Sequence, residues 1–334
     1  MRPQRQSIPL AALLVVTGCG SGADDAEPGR TWKVAAEGLE GSIMSFWGLS
    51  DEDLFAVGGV PGSGGDGAAV LWRGPGGWTP LNVSAPTLWW VYGFAHDDVW
   101  AVGERGTVLH YDGVSWGTQQ TGYDYTLWGL WGAARDDLWA VGGRPDGSGP
   151  PVLRHYDGDA WHDVDGPSAD DGFYFKVWGT AADDVHLVGA AKGERGERGV
   201  IGHFDGERWT LVGSTQPARL LTVRGRSPDD VYAVGGVTGG LMVHYDGDSW
   251  RTVDLAVDTG LMGVWTAPEQ PVVATGMRGL LIVDAGDGAG FRGTEPLTYE
   301  CLHAAWGSDS GLLVAGGGDM MTGLPGHGVI LEFD

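Results

Sequence analysis

The chain has little cysteine, little positive charge and no long hydrophobic run. Its 334 residues include 2 Cys and carry 20 Lys and Arg against 44 Asp and Glu, a formal net charge of −24. Two cysteines cannot build a disulfide framework. The shortage of basic residues excludes a general nucleic-acid binder, because contacts to phosphate need Lys and Arg. The apolar stretch at residues 8–16 is too short to span a bilayer as a helix.

Glycine and tryptophan, by contrast, are abundant, with 61 and 17 copies. Disordered chains are poor in aromatic residues, so the tryptophans indicate a folded protein. Hydrophobic residues make up 42% of the chain, enough for a large core at this length. The apolar runs are short and are separated by Gly and Asp turns, without helical periodicity. This pattern predicts an all-β fold.

Residues 1–18 are typical of an export signal, with arginines ahead of a short apolar stretch. The segment ends in Val-Thr-Gly followed by Cys19, which resembles the lipobox of bacterial lipoproteins. The resemblance implies cleavage before Cys19, acylation of that residue and attachment to a membrane through the lipid. Residues 19–29 would then form an acylated cysteine and a flexible tether. An ordinary cleaved signal with an incidental cysteine is the alternative.

The residues after the cysteine are Gly20 and Ser21, with no Asp at the next position. Under the lipoprotein resemblance, this favours the outer membrane over the inner one. We therefore expect an exported, monomeric outer-membrane lipoprotein that contacts the membrane through its lipid anchor only. Its expected partner is an envelope protein or a glycan.

One sequence phrase returns seven times from Trp47 onward. It consists of an apolar run, Trp-Gly, a short spacer, Asp-Asp, Val/Leu-aromatic-Ala-Val-Gly, a variable Gly-rich stretch and His-Tyr-Asp-Gly-x-x-Trp. We number the repeats one to seven by their anchor positions, which are residues 47, 92, 131, 178, 224, 265 and 306. Four apolar runs in a repeat of roughly 40–50 residues are typical of a β-propeller blade. Residues 30–334 thus predict a seven-bladed propeller of four-stranded antiparallel blades.

The two ends of the chain complement each other. The last repeat stops at Phe333 and Asp334, before its Gly-x-x-Trp, and this missing piece stands at the beginning as Gly29-Arg-Thr-Trp32. We therefore expect the N-terminal strand around Trp32 to complete the C-terminal blade. Closure of this kind removes the exposed edges of an open sheet.

The repeated phrase resembles the kelch-like, Asp-box (BNR-like) and WD/YVTN-like propeller repeats. It is most similar to tandem Trp-Gly…Asp-Asp-Val-Trp-Ala-Val-Gly repeats of exported bacterial proteins. The resemblance covers residues 30–334 and implies a propeller, but it implies no activity. The spacing from Tyr to Trp is shorter than in a kelch blade, and Asp-Gly-x-x-Trp is one residue shorter than an Asp box.

Thirteen of the tryptophans recur at equivalent positions of the repeats, which we interpret as packing between blades. These are Trp32, Trp78, Trp116, Trp161, Trp209 and Trp250 on outer strands, Trp47, Trp131, Trp178, Trp265 and Trp306 on inner strands, and Trp100 and Trp139 on second strands. The remaining Trp72, Trp89, Trp90 and Trp128 lie outside the pattern. A sugar-binding aromatic platform is the alternative reading of the tryptophans, and these four are its candidates.

Acidic residues cluster at two turns of each repeat, which a propeller places on one face. Asp side chains accept local backbone N–H bonds in such turns. Calcium is an alternative ligand there; we favour turn hydrogen bonding and expect no cofactor. The third-strand histidines of different blades lie too far apart to share a metal. We expect these histidines, His110, His155, His203 and His244, to bond to the Asp-bearing turns.

A small group of basic residues departs from the repeat. Repeat five carries Arg219, Arg224 and Arg226 on its inner strand, with Arg224 in a tryptophan position. Lys176 precedes the tryptophan of repeat four, and His303 follows Glu300 and Cys301 at the start of repeat seven. Together with Trp89, Trp90 and Trp128, these residues are candidates for a ligand site at the channel mouth that would take an anionic ligand. Alternatively, Arg224 stacks on aromatic rings in the tryptophan slot.

The sequence favours a non-catalytic binding or assembly scaffold tethered to the envelope. Rigid repeats would present variable loops at residues 59–69, 143–151, 190–199 and 316–328. The alternative is a glycan-active propeller of the sialidase or lyase type, with its site at the channel mouth. A sialidase resemblance needs arginines from separate inner strands, which only repeat five supplies, whereas a carboxylate pair would suit another glycosidase. A redox propeller is less favoured, because the sequence has no adjacent cysteine pair.

Overall fold

The computed structural model describes residues 30–334 except 120, 169, 194, 195, 214, 215, 285, 287 and 321–325. The predicted signal segment, Cys19 and the tether lie outside the described residues. Thr31–Asp334 form one compact unit. Within the described ranges, no helix is both long enough and apolar enough to cross a membrane.

The described residues form 28 strands and two short 3-10 turns, at Glu104–Gly106 and Met277–Gly279. The first strand and repeats one and two comprise β1 (Trp32–Leu39), β2 (Ser42–Ser50), β3 (Asp53–Gly59), β4 (Ala68–Gly74), β5 (Gly77–Leu81), β6 (Leu88–Ala95), β7 (Asp98–Gly103), β8 (Val108–Tyr111) and β9 (Trp116–Gln119). Repeats three and four comprise β10 (Thr126–Ala134), β11 (Asp137–Gly143), β12 (Val152–Tyr156), β13 (Trp161–Asp163), β14 (Gly172–Ala181), β15 (Asp184–Gly193), β16 (Gly196–Phe204) and β17 (Trp209–Leu211). Repeats five to seven comprise β18 (Leu220–Ser227), β19 (Asp230–Gly235), β20 (Leu241–Tyr245), β21 (Trp250–Thr252), β22 (Leu261–Trp265), β23 (Val272–Gly276), β24 (Leu281–Asp284), β25 (Arg292–Gly293), β26 (Leu302–Gly307), β27 (Leu313–Gly317) and β28 (Gly328–Phe333).

The strands pair antiparallel in chain order, as in a propeller, but not as seven separate blades. In the described ranges there are five four-stranded sheets and one eight-stranded sheet, which joins the strands of repeats three and four. The prediction of seven separate blades is therefore wrong, and five stand alone. The joint is a pairing of Gly143 in β11 with Phe173 in β14. A Cβ at Gly143 would lie 2.9 Å from that of Phe173, so the missing side chain allows the approach.

The N-terminal strand closes the ring, as the sequence predicts. Strand β1 pairs antiparallel with β28, and Trp32 lies opposite Phe333. Their ring centroids are 5.5 Å apart. The first and last strands of the chain thereby share one sheet with β26 and β27.

The tryptophan positions are confirmed on the outer, inner and second strands of the repeats. The inner-strand tryptophans pack against the Trp-Gly glycine of the next repeat. A Cβ placed on Gly225 would lie 2.6 Å from Cη2 of Trp178, which is closer than real side chains approach. Glycine is therefore required at this position by the indole of the preceding repeat.

The acidic turns use their carboxylates for local hydrogen bonds. Asp157 Oδ1 accepts the backbone N–H groups of Asp159 and Ala160 at 3.0 and 2.9 Å. These bonds, aided by His162, lower the pKa of Asp157 to about 2. Equivalent pairs of bonds recur at the third-to-fourth turns, at Asp112, Asp205 and Asp246.

The third-strand histidines bond to the first-to-second turn, as predicted. Each presents Nε2 to the second Asp of the Asp-Asp pair of its own repeat. The four contacts are His110 to Asp98 and His155 to Asp137 at 2.7 Å, and His203 to Asp184 and His244 to Asp230 at 2.8 Å. These histidines therefore belong to the repeat architecture.

One expected loop is largely strand. Residues 190–199 were expected to vary as a loop, but β15 and β16 continue to pair as far as Gly193 and Gly196. Residues 190–193 and 196–199 are therefore paired strand, with backbone groups that bond across the two strands.

We expect Gly225→Ala to lower the free energy of unfolding by about 1–3 kcal/mol, because its methyl group would overlap the indole of Trp178. Gly76→Ala is the matched control. Gly76 is exposed, and a Cβ there meets no atom within 4 Å. Urea unfolding of both variants measures the difference. Equal midpoints for Gly225→Ala and the control would contradict the packing argument.

Candidate functional site

The first strand of each repeat carries a β-bulge. In β14, for example, the pairing shifts between Tyr174 and Lys176, which leaves Phe175 without a cross-strand partner. A bulge redirects the side chain of its extra residue. The residues at this position in the seven repeats are Met44, Trp89, Trp128, Phe175, Leu221, Met262 and His303.

These bulge residues fill the space between the first strands. Six of the seven line one cavity together with Lys176, Thr222 and Met320. The cavity has a volume of only about 20 Å³. That is room for about one water molecule. The central channel is therefore closed by side chains at this level.

Lys176 lies in this packed centre, next to its own bulge residue. The side chain is 4% exposed, and Nζ donates a hydrogen bond to the carbonyl oxygen of Trp128. Nζ also lies 4.3 Å from the ring centroid of Trp90 and 4.9 Å from that of Phe175. Burial lowers the pKa of Lys176 well below its ordinary value. Among the described residues, no carboxylate lies within ion-pair distance of Nζ.

His303 lines the same cavity and is 8% exposed. Its Nε2 lies 3.0 Å from the carbonyl oxygen of Gly318, and it acts as the donor of this bond. Burial lowers the pKa of His303 to about 4, although the bond to Gly318 opposes the shift. The imidazole is therefore neutral at pH 7.

Arg224 occupies the tryptophan position of repeat five, as the sequence predicts. It lines a second small cavity with aromatic residues, among them Trp47, Trp90, Tyr92 and Trp265. Trp90 thus faces both Lys176 and the Arg224 cavity. This placement is compatible with the packing alternative for Arg224.

Arg219 and Arg226 do not join this group. Arg219 forms two hydrogen bonds to the carboxylate of Glu197, at 2.7 and 3.0 Å. Arg226 bonds to Asp230 at 2.6 Å, near the opposite end of β18. The structure thus brings Lys176 and His303 together and places Arg224 nearby. The other two arginines already have carboxylate partners.

The off-pattern tryptophans of the first strands pack against protein rings. Trp128 is 5% exposed and stacks on Phe175 with a centroid distance of 5.3 Å and an interplanar angle of 9°. Trp89 meets Phe175 edge to face at 6.3 Å. An aromatic platform for a sugar needs an open ring face. The face of Trp128 that meets Phe175 is already occupied.

The two channel cavities also lack the carboxylate pair of a glycosidase. Among the described residues that line them, the titratable side chains are Lys176, His303, Tyr92 and Arg224. Acid–base hydrolysis of a glycoside needs two carboxyl groups on either side of the bond. Among the described residues, these two cavities therefore do not supply the carboxylate pair that a glycosidase uses.

A much larger cavity lies elsewhere, over repeats one to three. It has a volume of about 960 Å³. Its walls come from the second-to-third strand connections and from the link between β9 and β10, which an up-and-down sheet order places on one face. We call it the loop groove, and its lining residues are Gly62, Gly64, Glu104, Arg105, Gly122, Tyr123, Asp124, Tyr125, Thr126, Arg144, Pro145 and Asp146.

Aromatic and arginine side chains are held in place in the loop groove. Arg144 Nη2 donates to the Tyr125 hydroxyl at 3.1 Å, and its guanidinium lies 4.9 Å from the Tyr125 ring centroid. Tyr123 meets Tyr125 at 5.5 Å with an interplanar angle of 75°. Arg154 lies 4.3 Å from the other ring, that of Tyr123. Arg105, in a left-handed backbone conformation with φ 59°, is exposed at the same cavity.

Sequence reasoning identified the loops at 59–69 and 143–151 but missed the tyrosines. Residues 121–125, Thr-Gly-Tyr-Asp-Tyr, stand between the outer strand of repeat two and the inner strand of repeat three. The signal available in the sequence was the presence of two tyrosines in a connection that does not belong to the repeated phrase. Their meeting with Arg144 depends on the fold and could not be seen from spacing.

Stability should fall as the pH is lowered through the titration of His303. Its folded-state pKa of about 4 lies below the ordinary 6.5, with Lys176 and Asp319 as the charged groups acting on it. Between about pH 6.5 and pH 4 the imidazole of His303 is therefore protonated in the unfolded chain but not in the folded chain. The free energy of unfolding falls as the pH is lowered over this range. The shift corresponds to up to about 3 kcal/mol.

We expect His303→Gln to lose less unfolding free energy than the parent between about pH 7 and pH 4, because glutamine can still donate to Gly318 but does not titrate. Urea unfolding across this range measures the difference. The same pH dependence in both proteins would show that His303 is not the titrating group.

Comparison with known proteins supports the fold. No family model matches the chain, and no curated protein matches it. Similar solved structures include YCF48 bound to D1 peptide, with 16% identity, a TM-score of 0.63 and coverage of 93% of this chain and 98% of that chain. The WD40 propeller domain of Doa1 has 9% identity, a TM-score of 0.67 and coverage of 91% and 97%. A streptogramin B lyase has 10% identity, a TM-score of 0.68 and coverage of 91% and 97%. At these identities the similarity shows a shared β-propeller fold.

Proposed function

We propose that the protein is a binding scaffold of the bacterial envelope that holds an extended polypeptide segment of a partner in the loop groove. The observation that carries the proposal is the groove itself, an open cavity of about 960 Å³ with two tyrosines and two arginines at its surface. Tyr and Arg are the residues that most often supply binding energy at protein interfaces. The closed channel offers no comparable space.

The groove suits a peptide for three physical reasons. Tyr123 and Tyr125 are half-buried and already in contact, so that little side-chain freedom is lost on binding. Arg105 and Arg144 can pair with carboxylates of the partner, while Asp124 can pair with a basic residue. Glycines along the wall let a backbone approach closely.

A similar propeller supports the class of partner. YCF48, which shares the fold over most of its length, has been solved with D1 peptide bound. A propeller of this size is therefore compatible with a peptide ligand. The finer assignment to kelch-like or Asp-box repeats stays a prediction, as does a glycan as the partner.

The groove proposal is tested with peptides selected for binding to the full chain from a random library. We expect Arg144→Ala to weaken the selected peptides at least tenfold, because it removes a cation already oriented over Tyr125. Arg251→Ala is the matched control. Arg251 is exposed and bonds to Asp246, and both residues lie in repeat five, outside the loop groove. Fluorescence polarisation measures the dissociation constants. Equal affinity in both variants, or failure to select any peptide, would overturn the proposal.

We also propose that the scaffold is held at the outer membrane by acylation of Cys19. The support is the sequence alone, with an apolar signal ending at this cysteine and a small, acidic tether after it. The tether would let the loop groove reach partners close to the membrane.

The anchor is tested by Cys19→Ser with fractionation of cells that express the chain. We expect the parent in the outer-membrane fraction and the variant outside it, because serine offers no sulfur for acylation. Retention of the variant in the same membrane fraction would contradict the lipoprotein proposal without affecting the groove.

A further inference from the structure

Repeat four has a histidine where its neighbours carry a larger aromatic ring. This second-strand position holds Trp100, Trp139 and Tyr232 in repeats two, three and five. In those repeats the ring packs against the third-strand histidine, with centroid distances of 4.1, 4.5 and 4.2 Å. In repeat four the residue is His186, which lies 4.6 Å from the ring of His203. Only the chemistry of the side chain has changed, and the packing arrangement is kept.

The substitution places three metal-ligating side chains together. His186 lies directly opposite His203 in the pairing of β15 with β16. Asp184 Oδ1 is 2.8 Å from Nε2 of His203. One ligand atom from each of Asp184, His186 and His203 lies within 4.8 Å of the other two. Small rotations of the side chains would bring such atoms to the roughly 3.3 Å that separates ligands around a tetrahedral cation.

His186 also has an unused ligand atom. The residue is 3% exposed, and its Nδ1 is buried without a hydrogen-bond partner among the described residues. At the equivalent position, Nε1 of Trp100 in repeat two donates to Asp98 at 2.9 Å, whereas Nε1 of Trp139 in repeat three is also buried without a partner in the described ranges. An indole N–H cannot bind a metal ion, but an imidazole nitrogen can. A buried polar atom without a partner is costly and calls for a ligand or a role.

We propose that Asp184, His186 and His203 form a binding site for a divalent transition-metal ion of the zinc type. Two imidazoles and a carboxylate are ligands that Zn²⁺ prefers, and three protein ligands leave a fourth position open. Coordination replaces the hydrogen bond between His203 and Asp184 with bonds from both residues to the same cation. The imidazole proton of His203 then resides on its other nitrogen.

The open position faces a cavity. A space of about 490 Å³ is lined by the three ligands and by Asp229, Tyr245 and Asp248 among others. Asp229 and Asp248 are exposed, so this cavity reaches solvent. Water or an oxygen-donor ligand could therefore complete the coordination. The site uses turns at the face opposite the loop groove, and its existence does not depend on peptide binding.

The neighbouring repeats provide the controls. Repeat three has the same Asp–His pair, Asp137 and His155, but Trp139 in place of the second histidine. His186→Tyr introduces the side chain that repeat five carries at this position, so the variant should fold. Asp184→Asn keeps an oxygen that can accept a bond from His203 but removes the negative charge from the site.

The test is calorimetric titration of the chelator-treated full chain with Zn²⁺, together with the visible absorption of the Co²⁺-loaded chain. We expect one equivalent to bind with a dissociation constant of about 10 µM or tighter. His186→Tyr and Asp184→Asn should each weaken this binding at least tenfold and remove the Co²⁺ bands. His155→Gln should leave the stoichiometry and the affinity unchanged.

Three outcomes would overturn the proposal. The parent chain could fail to bind Zn²⁺ with a dissociation constant of about 10 µM or tighter. His186→Tyr could bind as tightly as the parent, which would place the ion elsewhere. His155→Gln could lose binding to the same extent as His186→Tyr, which would assign the affinity to Asp–His pairs in general.

Discussion

The ring depends on the contact between the inner-strand tryptophan of one repeat and a glycine of the next. This contact recurs at Trp47 and Gly93, Trp131 and Gly179, Trp178 and Gly225, and Trp265 and Gly307, where a Cβ on the glycine would lie 2.5–2.9 Å from the indole. The two residues of the Trp-Gly phrase thus take part in different contacts. The tryptophan packs against the glycine of the next repeat, and the glycine packs against the indole of the preceding repeat. Burial of large indoles at these joints, together with the pairing of β1 with β28, stabilises the closed arrangement.

Close approach of the first strands explains why the channel is filled. Each of these strands carries a bulge, and the extra residue is large and apolar in most repeats. The next residue along is small in repeats one, three, six and seven, where it is Ser45, Gly129, Gly263 and Ala304. A Cβ on Gly129 would lie 2.8 Å from Cα of Lys176, so the glycine of repeat three lets Lys176 of repeat four approach, and its Nζ lies 4.3 Å from the ring centroid of Trp90 in repeat two. Space for a ligand is therefore found at the loops and turns, where the repeats differ from one another.

The repeated phrase was sufficient to predict the strands, the tryptophan positions and the closure at Trp32, because each follows from a local pattern repeated many times. It could not predict that repeats three and four share a sheet, since that joint depends on Gly143 meeting Phe173. The bulges were also missed, because one unpaired residue in a strand leaves no mark on the spacing of the repeats. The sequence alone therefore predicts that Lys176, Arg219, Arg224 and Arg226 converge at the channel mouth. In the structure, Arg219 and Arg226 lie near the two ends of β18 with separate carboxylates.

Because the chain repeats the same unit, a residue that differs from its equivalents in the other repeats can be compared with them directly. Arg224 replaces a tryptophan, and its cavity is lined by aromatic residues, which is compatible with packing in the tryptophan position. His186 likewise replaces an aromatic residue, and its contact with His203 accounts for the ring. Packing does not account for its buried, unpartnered Nδ1 next to a carboxylate. The third-strand histidines of different repeats are too far apart for a shared metal, but a cross-strand neighbour within one repeat is not subject to that limit. Position 186 therefore differs from the equivalent positions in placing a buried nitrogen, without a partner in the described part of the chain, beside two further metal-ligating side chains, those of Asp184 and His203.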